Sequence, residues 1–313
     1  MGTFIQVMIA NKDSIIALNA AQEVFKLYDT LNQILSDYLP NSELNQLCQK
    51  AGTAEWTMVS GHLLNVLILS QEAYDISNGA FDPSVGKLVQ LWREARKNKT
   101  FPNQQMLLEA LQTKGFKLKH DIEINKNQVR LNKKGVQLDF GGIAKGYAAQ
   151  CGLDLLKNKG ITAILIDSGG DLTLGEAPQN SKGWKIAINS PENANEIMPR
   201  FLEIENCSVA TSGNLYQSIE IEGKTYSHIL NPKTGIGMTH QRNVTVVASD
   251  GAMADWLATA CSVLSIAKAK KLIRRINKNM ESPENQTKLL ITYWKKGKIK
   301  EQKIGKFNWI SLN

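Results

Sequence analysis

Asp255 and Thr259 stand four residues apart in Asp250-Gly251-Ala252-Met253-Ala254-Asp255-Trp256-Leu257-Ala258-Thr259. On a helix that spacing puts a carboxylate and a hydroxyl on one face, one turn apart. The apolar neighbours predict burial, and a buried carboxylate needs a cation or a set of donors. Two such oxygens, completed by a backbone carbonyl and phosphate oxygens, suit Mg²⁺, which takes few protein ligands. As an ordinary structural residue, Asp255 would only accept hydrogen bonds.

Three glycine-bearing segments could receive phosphate. Leu138-Asp139-Phe140-Gly141-Gly142-Ile143-Ala144-Lys145-Gly146 reads as a strand turning into a helix, with N–H groups at the positive helix end and the Lys145 ammonium one turn in. Asp167-Ser168-Gly169-Gly170-Asp171 and Ala210-Thr211-Ser212-Gly213-Asn214 are further strand ends whose N–H groups or hydroxyls could hold an anion. Each alone is an ordinary turn; together they suggest an extended ligand with more than one phosphate. None is a dinucleotide-binding or P-loop signature. His228, in Tyr226-Ser227-His228-Ile229-Leu230-Asn231-Pro232, is a candidate base or ligand contact, or a plain structural histidine. Gly79-Ala80-Phe81-Asp82-Pro83 leaves a helix and could offer its backbone and Asp82 to a heterocycle edge.

The elements around these residues follow from periodicity. The alternation at Phe4–Ala10 predicts a strand, and steps of three and four from Leu18 to Leu35 predict a helix. Further helices are expected over His62–Ile76, ending at Asn78-Gly79, and from an Asn103 cap through Leu111. Others should cover Ile143–Lys157, Ala252–Leu264 and, strongly basic, Ala267–Ile276. Strands are expected at Val129–Leu131, Val136–Phe140, Ile161–Asp167, Trp184–Ile188, Phe201–Ile204, Ser208–Ala210, Ser218–Ile221, Tyr226–Leu230 and Val244–Ala248. Leu289–Trp294, a lysine-rich turn and Ile299 onward read as a hairpin. Helices and strands mix without regular alternation, which predicts an α+β fold in one compact, two-lobed unit spanning 1–313.

The chain's 313 residues can bury a large core, and 42% hydrophobic against 21% charged residues excludes global disorder. No apolar run reaches the roughly 20 residues of a membrane span. Four scattered cysteines and four histidines give no zinc or disulfide spacing. The formal charge of +8 is partly local, in Arg93–Lys99, Lys268–Arg275 and Lys295–Lys300, expected to be solvated faces. Few aromatics interleave with them, so no nucleic-acid partner is expected.

In their order and joint presence these segments resemble the FAD:protein FMN transferase family. The match runs from Met1-Gly2-Thr3 through Ser36-Asp37-Tyr38, Gly79–Gly86, Leu91-Trp92, Asp139–Tyr147, Gly169-Gly170-Asp171, Ala210–Gly213 and Tyr226–Gly235 to Asp255 and Thr259. The resemblance implies a flavin transferase fold with mixed and antiparallel sheets, and helices flanking bound FAD. It implies Mg²⁺ held by the Gly142 carbonyl, Asp255 and Thr259, with Asp255, Lys145 and His228 in catalytic roles. Flavin and adenosine contacts fall by position on Met1, Tyr38, Ala80, Phe81, Asp82, Lys145, His228 and Ile229. The implied reaction moves FMN from FAD to a Thr or Ser hydroxyl of an acceptor flavoprotein, such as an electron-transfer complex subunit, and releases AMP. The alternatives are an Mg²⁺-dependent FAD pyrophosphatase and a flavin-binding protein without turnover. An aromatic residue at Tyr38, able to stack on the flavin, favours transfer. Asn214, Phe140 and Trp256 depart from the family's usual Asp, Leu and small residue. A periplasmic or extracytoplasmic location, with a lipid anchor on a longer precursor, is a further expectation of the resemblance.

Overall fold

Local chemistry sets several helix ends as the sequence predicts. Asn78 takes a left-handed conformation (φ 55°, ψ 46°) that stops one helix, while the Asn103 side chain accepts the Met106 N–H at 3.1 Å to start another. Asp250 caps a third helix by accepting the Met253 N–H at 2.9 Å. The structure, a computed structural model, describes residues 3–191, 197–213, 218–280, 282–295 and 298–311.

In chain order the elements begin with β1 (Ile5–Ile9), α1 (Ser14–Leu35), α2 (Glu43–Gln49), β2 (Thr57–Met58), α3 (Gly61–Ser77) and α4 (Gly86–Asn98). Next come α5 (Gln104–Thr113), β3 (Ile122–Asn125), β4 (Gln128–Leu131), α6 (Ala144–Lys157), β5 (Ile164–Ser168) and β6 (Asp171–Leu174). β7 (Trp184–Pro191), β8 (Ile197–Ile204), β9 (Cys207–Gly213), β10 (Ser218–Ile221), β11 (Lys224–Ser227) and β12 (Arg242–Ala248) follow. The chain closes with α7 (Gly251–Val263), α8 (Ile266–Lys278), β13 (Lys288–Lys295), β14 (Lys298–Ile304) and β15 (Trp309–Ile310).

The chain divides into two compact units: 1–29, 145–212 and 241–313 form the first, 30–144 and 213–240 the second. The first is built on a seven-stranded sheet in the order β1-β5-β6-β9-β12-β13-β14. Alternate residues of that sheet serve two different layers. Leu165, Leu174, Val209, Val247 and Leu290 pack against Ile186, Ile188 and Leu202 of the small sheet β15-β8-β7. On the opposite face lie the helices: Gly152 of α6 lets Ile166, Val24 and Tyr28 close in, α7 lies on β12 and β6, and α8 lies on β13 and β14.

The second unit carries the small sheets β2-β4-β3 and β10-β11. Its core joins Leu88, Trp92 and Ala95 of α4 with Leu107 and Ala110 of α5 and with Ile219, Ile221 and Tyr226. Two expectations need correction here. Val136–Phe140 alternates between buried and less buried residues like a strand, yet its backbone serves a turn: Asp139 N–H donates to the Pro83 carbonyl at 2.7 Å and Gly86 N–H to the Gln137 carbonyl at 3.0 Å. The strand expected over Tyr226–Leu230 ends at Ser227, because Asn231, Gly235 and Met238 fold the chain back there.

Candidate active site

The first turns of α6 and α7 meet backbone to backbone. An ideal Cβ on Gly146 would lie 2.0 Å from the Gly251 carbonyl oxygen, and one on Gly251 would lie 2.2 Å from the Gly146 carbonyl. Only glycine on both sides permits this approach. It delivers Asp255, one turn into α7, to the start of α6, where its Oδ2 accepts the Gly146 N–H at 3.2 Å. A helix start has such N–H groups to satisfy, and a carboxylate satisfies them well.

Lys145 completes the group. Its ammonium lies 3.3 Å from both Asp255 oxygens and also donates to Asp171, at the head of β6. Asp171 and Asp255 are 6% and 4% exposed, so two buried carboxylates share one ammonium and a negative charge remains to be balanced. Burial is the largest influence on Asp255 and lifts its carboxyl to about 7, with Asp171 adding to the rise and Lys145 opposing it. Burial by itself would lower the Lys145 ammonium, but the Asp171 and Asp255 carboxylates outweigh it and hold the group above lysine's usual range. Thr259, one turn beyond Asp255 on α7, is half-buried.

The other phosphate candidates are more committed than their sequences suggest. At the glycine corner, Gly141 N–H donates to Asp139 Oδ1 at 2.7 Å, and the Ile143 and Ala144 N–H groups donate to the Phe140 carbonyl. Gly142 belongs to this corner, in the second unit. Gly169 and Gly170 do take positive φ (64° and 95°), but the Gly170 N–H is held by Asp167 Oδ1 at 2.6 Å. Thr211 bonds the Thr245 hydroxyl at 2.9 Å, and its register with Val209 turns it to the small-sheet face, away from α7. Met1 and Asn214 lie outside the described residues.

The second unit holds the remaining candidates, each on a braced support. Tyr38 is 64% exposed, and the Arg93 guanidinium covers its ring 3.8 Å from the centroid. Arg93 is itself paired with Asp37 and, at 3.2 Å, with Asp139, so this arginine is no solvated surface charge. Asp82 Oδ1 accepts the Ser84 N–H and hydroxyl at 3.0 and 2.6 Å, while its Oδ2 meets Lys114 at 2.8 Å. Ala80, Phe81 and Ile229 are buried and His228 is half-buried. The His228 turn is clamped by Trp92 Nε1 donating to the Gly235 carbonyl at 2.8 Å and by Lys114 donating to the Pro232 carbonyl at 2.6 Å.

Sequence reasoning overlooked the partnership of Asp171 with Lys145 and the bracing of Tyr38 by Arg93. For Asp171 a signal existed in the acid that directly follows Gly169-Gly170; for Arg93, in the Leu88, Trp92 and Ala95 stripe that marks α4. Among the described residues, no three of His, Cys, Asp and Glu converge as a metal-binding set.

Known proteins resemble the chain over most of its length. A FAD:protein FMN transferase of Treponema pallidum (strain Nichols) is 31% identical, across 88% of this chain and 79% of the relative. One of Escherichia coli (strain K12) is 28% identical over the same shares. The solved flavin transferase ApbE from Vibrio cholerae superposes with a TM-score of 0.84 at 26% identity, covering 97% of this chain and 94% of that one. Residues 1–282 match the ApbE family.

Proposed function

The chain belongs to the ApbE family, and from that premise we propose that it is an FAD:protein FMN transferase, moving the FMN part of FAD onto a hydroxyl of an acceptor protein. The observation that carries this reading is the Lys145–Asp171–Asp255 cluster at the crossing of α6 and α7. Transfer at phosphorus asks for alignment and charge neutralisation more than covalent help. The Lys145 ammonium is the cluster's own positive group, and because the Asp171 and Asp255 carboxylates outnumber it, a bound cation would supply the rest of the neutralisation the FAD diphosphate needs.

The donor chemistry also fits Mg²⁺. Two buried carboxylates around one ammonium leave a negative charge, and the Asp255 carboxylate and Thr259 hydroxyl are hard oxygen donors. That ion keeps most of its shell for water and phosphate, so the want of three clustered acids does not argue against it. Asp255 and Thr259 would hold it; when bound, it would neutralise charge on the transferring phosphoryl group.

In this reading Gly146 fixes the Asp255 carboxylate, Asp171 steers Lys145, and Lys145 neutralises phosphate charge. Tyr38 offers a ring face to the flavin, and His228 is the proposed acceptor of the hydroxyl proton. The acceptor residue is a Thr or Ser of a flavoprotein, releasing AMP, and the reaction is placed outside the cytoplasm; both follow the resemblance.

The test incubates the full chain with FAD, a Mg²⁺ salt and a candidate acceptor flavoprotein, then looks for flavin fluorescence on the denatured acceptor. Mass spectrometry should find FMN on a Thr or Ser peptide, and Asp255→Asn should abolish the label. Steady release of free FMN and AMP, with acceptors left unlabelled, would replace this reading by a pyrophosphatase.

A further inference from the structure

Much of the charge surplus lies on one helix. α8 carries six Lys and Arg among its 13 residues and no Asp or Glu, against a formal charge of +8 for the whole chain. Its apolar side, Ala269, Leu272 and Ile273, is buried, and the helix packs on β13 and β14. Two reciprocal 2.9 Å hydrogen bonds between the Asn277 amide and the Thr287 backbone fix its C-terminal end.

The outer strand extends the same charge. Lys270 Nζ donates to Gln302 Oε1 at 2.9 Å, which identifies the face of β14 beside α8. Lys298 and Lys300 share that face with Gln302 by the alternation of the strand, whereas Glu301 turns to the other side to meet Arg200 at 2.8 Å. Lys298 stands directly across from Lys295. Exposed Lys268, Lys271, Arg274 and Lys278 lie three or four residues apart along α8. Like charges at these spacings repel on helices and across strands alike. Lysines on an outer strand deter strand-to-strand association, but that purpose asks nothing of α8.

We propose that the face formed by α8 and β14 docks on an anionic lipid bilayer. No helix among the described residues is long and apolar enough to cross a membrane; the proposed contact is one of charge at the bilayer surface. Lysine outnumbers arginine on this face and α8 has no aromatic residue. Protein interfaces are depleted in lysine and anchored by aromatics and arginine, and single-strand nucleic acid needs rings to stack on. A bilayer asks only for a dense, one-signed field, gaining roughly fivefold in affinity for each cation near its surface. The inference is independent of the flavin reaction.

Co-flotation of the full chain with vesicles of phosphatidylcholine containing phosphatidylglycerol, against phosphatidylcholine alone, tests it. Binding is expected to the anionic vesicles only and to fall steeply with salt. Reversing exposed Lys268, Lys271, Arg274 and Lys278 to Glu should abolish it, while reversing exposed Lys12, Lys97, Lys117 and Lys182 should leave most of it. Lys298→Gln with Lys300→Gln, a milder change, should weaken it roughly 25-fold. Equal flotation with both vesicle types, an equal loss in the two reversed variants, or binding to polyuridylate or polyglutamate with vesicles ignored would each overturn the proposal.

Discussion

Replacing Gly146 by alanine adds one carbon where two helix starts touch. The new Cβ would sit 2.0 Å from the Gly251 carbonyl oxygen and 2.9 Å from Asp255 Cβ, where about 3.5 Å is comfortable. The nearer obstacle is backbone, so no rotamer relieves it and α6 and α7 must part by roughly 1 Å or more. Overpacking of this severity costs about 3 kcal/mol; alanine's better helix propensity returns about 1 kcal/mol. The net loss of about 2 kcal/mol should lower the melting temperature by about 3 °C. The shift also stretches the 3.2 Å bond from Gly146 N–H to Asp255, and a misplacement near 1 Å costs about 10²-fold in rate. Circular dichroism melting and the initial rate of covalent flavin labelling measure the two effects. Gly61→Ala is the control: its Cβ meets nothing within 4 Å, at the first residue of α3, so it should melt at or above the parent. A Gly146→Ala protein with the parent's melting point and labelling rate would refute the idea that this crossing positions Asp255.

Lys145→Met leaves Asp171 and Asp255 buried without their shared ammonium, which should cost about 3–5 kcal/mol and slow labelling by about 10²–10³. Adding Asp171→Asn should recover stability, read as the urea midpoint, but not rate; recovery of both would deny Lys145 a part in the reaction. Trp92→Phe removes the 2.8 Å bond to Gly235 in the second unit's core and should cost about 1–3 kcal/mol, and an unchanged urea midpoint would contradict the clamp on the His228 turn. Burial and then the Asp37 charge lift the Asp139 carboxyl from 3.8 to about 6. Between those values the folded protein keeps a proton that the unfolded chain has released, so this group withdraws stability as pH rises through the window. Asp139→Asn should flatten that part of the stability–pH curve, and a variant as steep as the parent would show that another group sets the slope.

What could be read from the sequence was what depends on neighbours along the chain. Asn78, Asn103 and Asp250 act within one turn of themselves, and β13 and β14, neighbours along the chain, pair with each other. The relation of Asp255 to Thr259 is a property of helix pitch. The ion pair between Lys145 and Asp171 spans 26 residues, so the sequence marks Asp171 beside its glycines but not its partner. Arg93 sits in a basic run that looked solvated, yet tertiary folding sets it between Asp37 and Asp139. At Val136–Phe140 the burial pattern was legible, with Leu138 and Phe140 inside; the destination of its hydrogen bonds was not, because the partner turn at 83–86 lies some fifty residues earlier.

The large sheet draws its outermost strands from opposite ends of the polypeptide, β1 on one margin and β14 on the other. Synthesis on the ribosome therefore leaves β9 waiting for β12 until Arg242 and the residues after it have emerged. During that interval its margin is an open template for other nascent chains, and chaperone attention belongs there. A chain truncated before β12 is expected to aggregate, read as loss of the soluble fraction on expression.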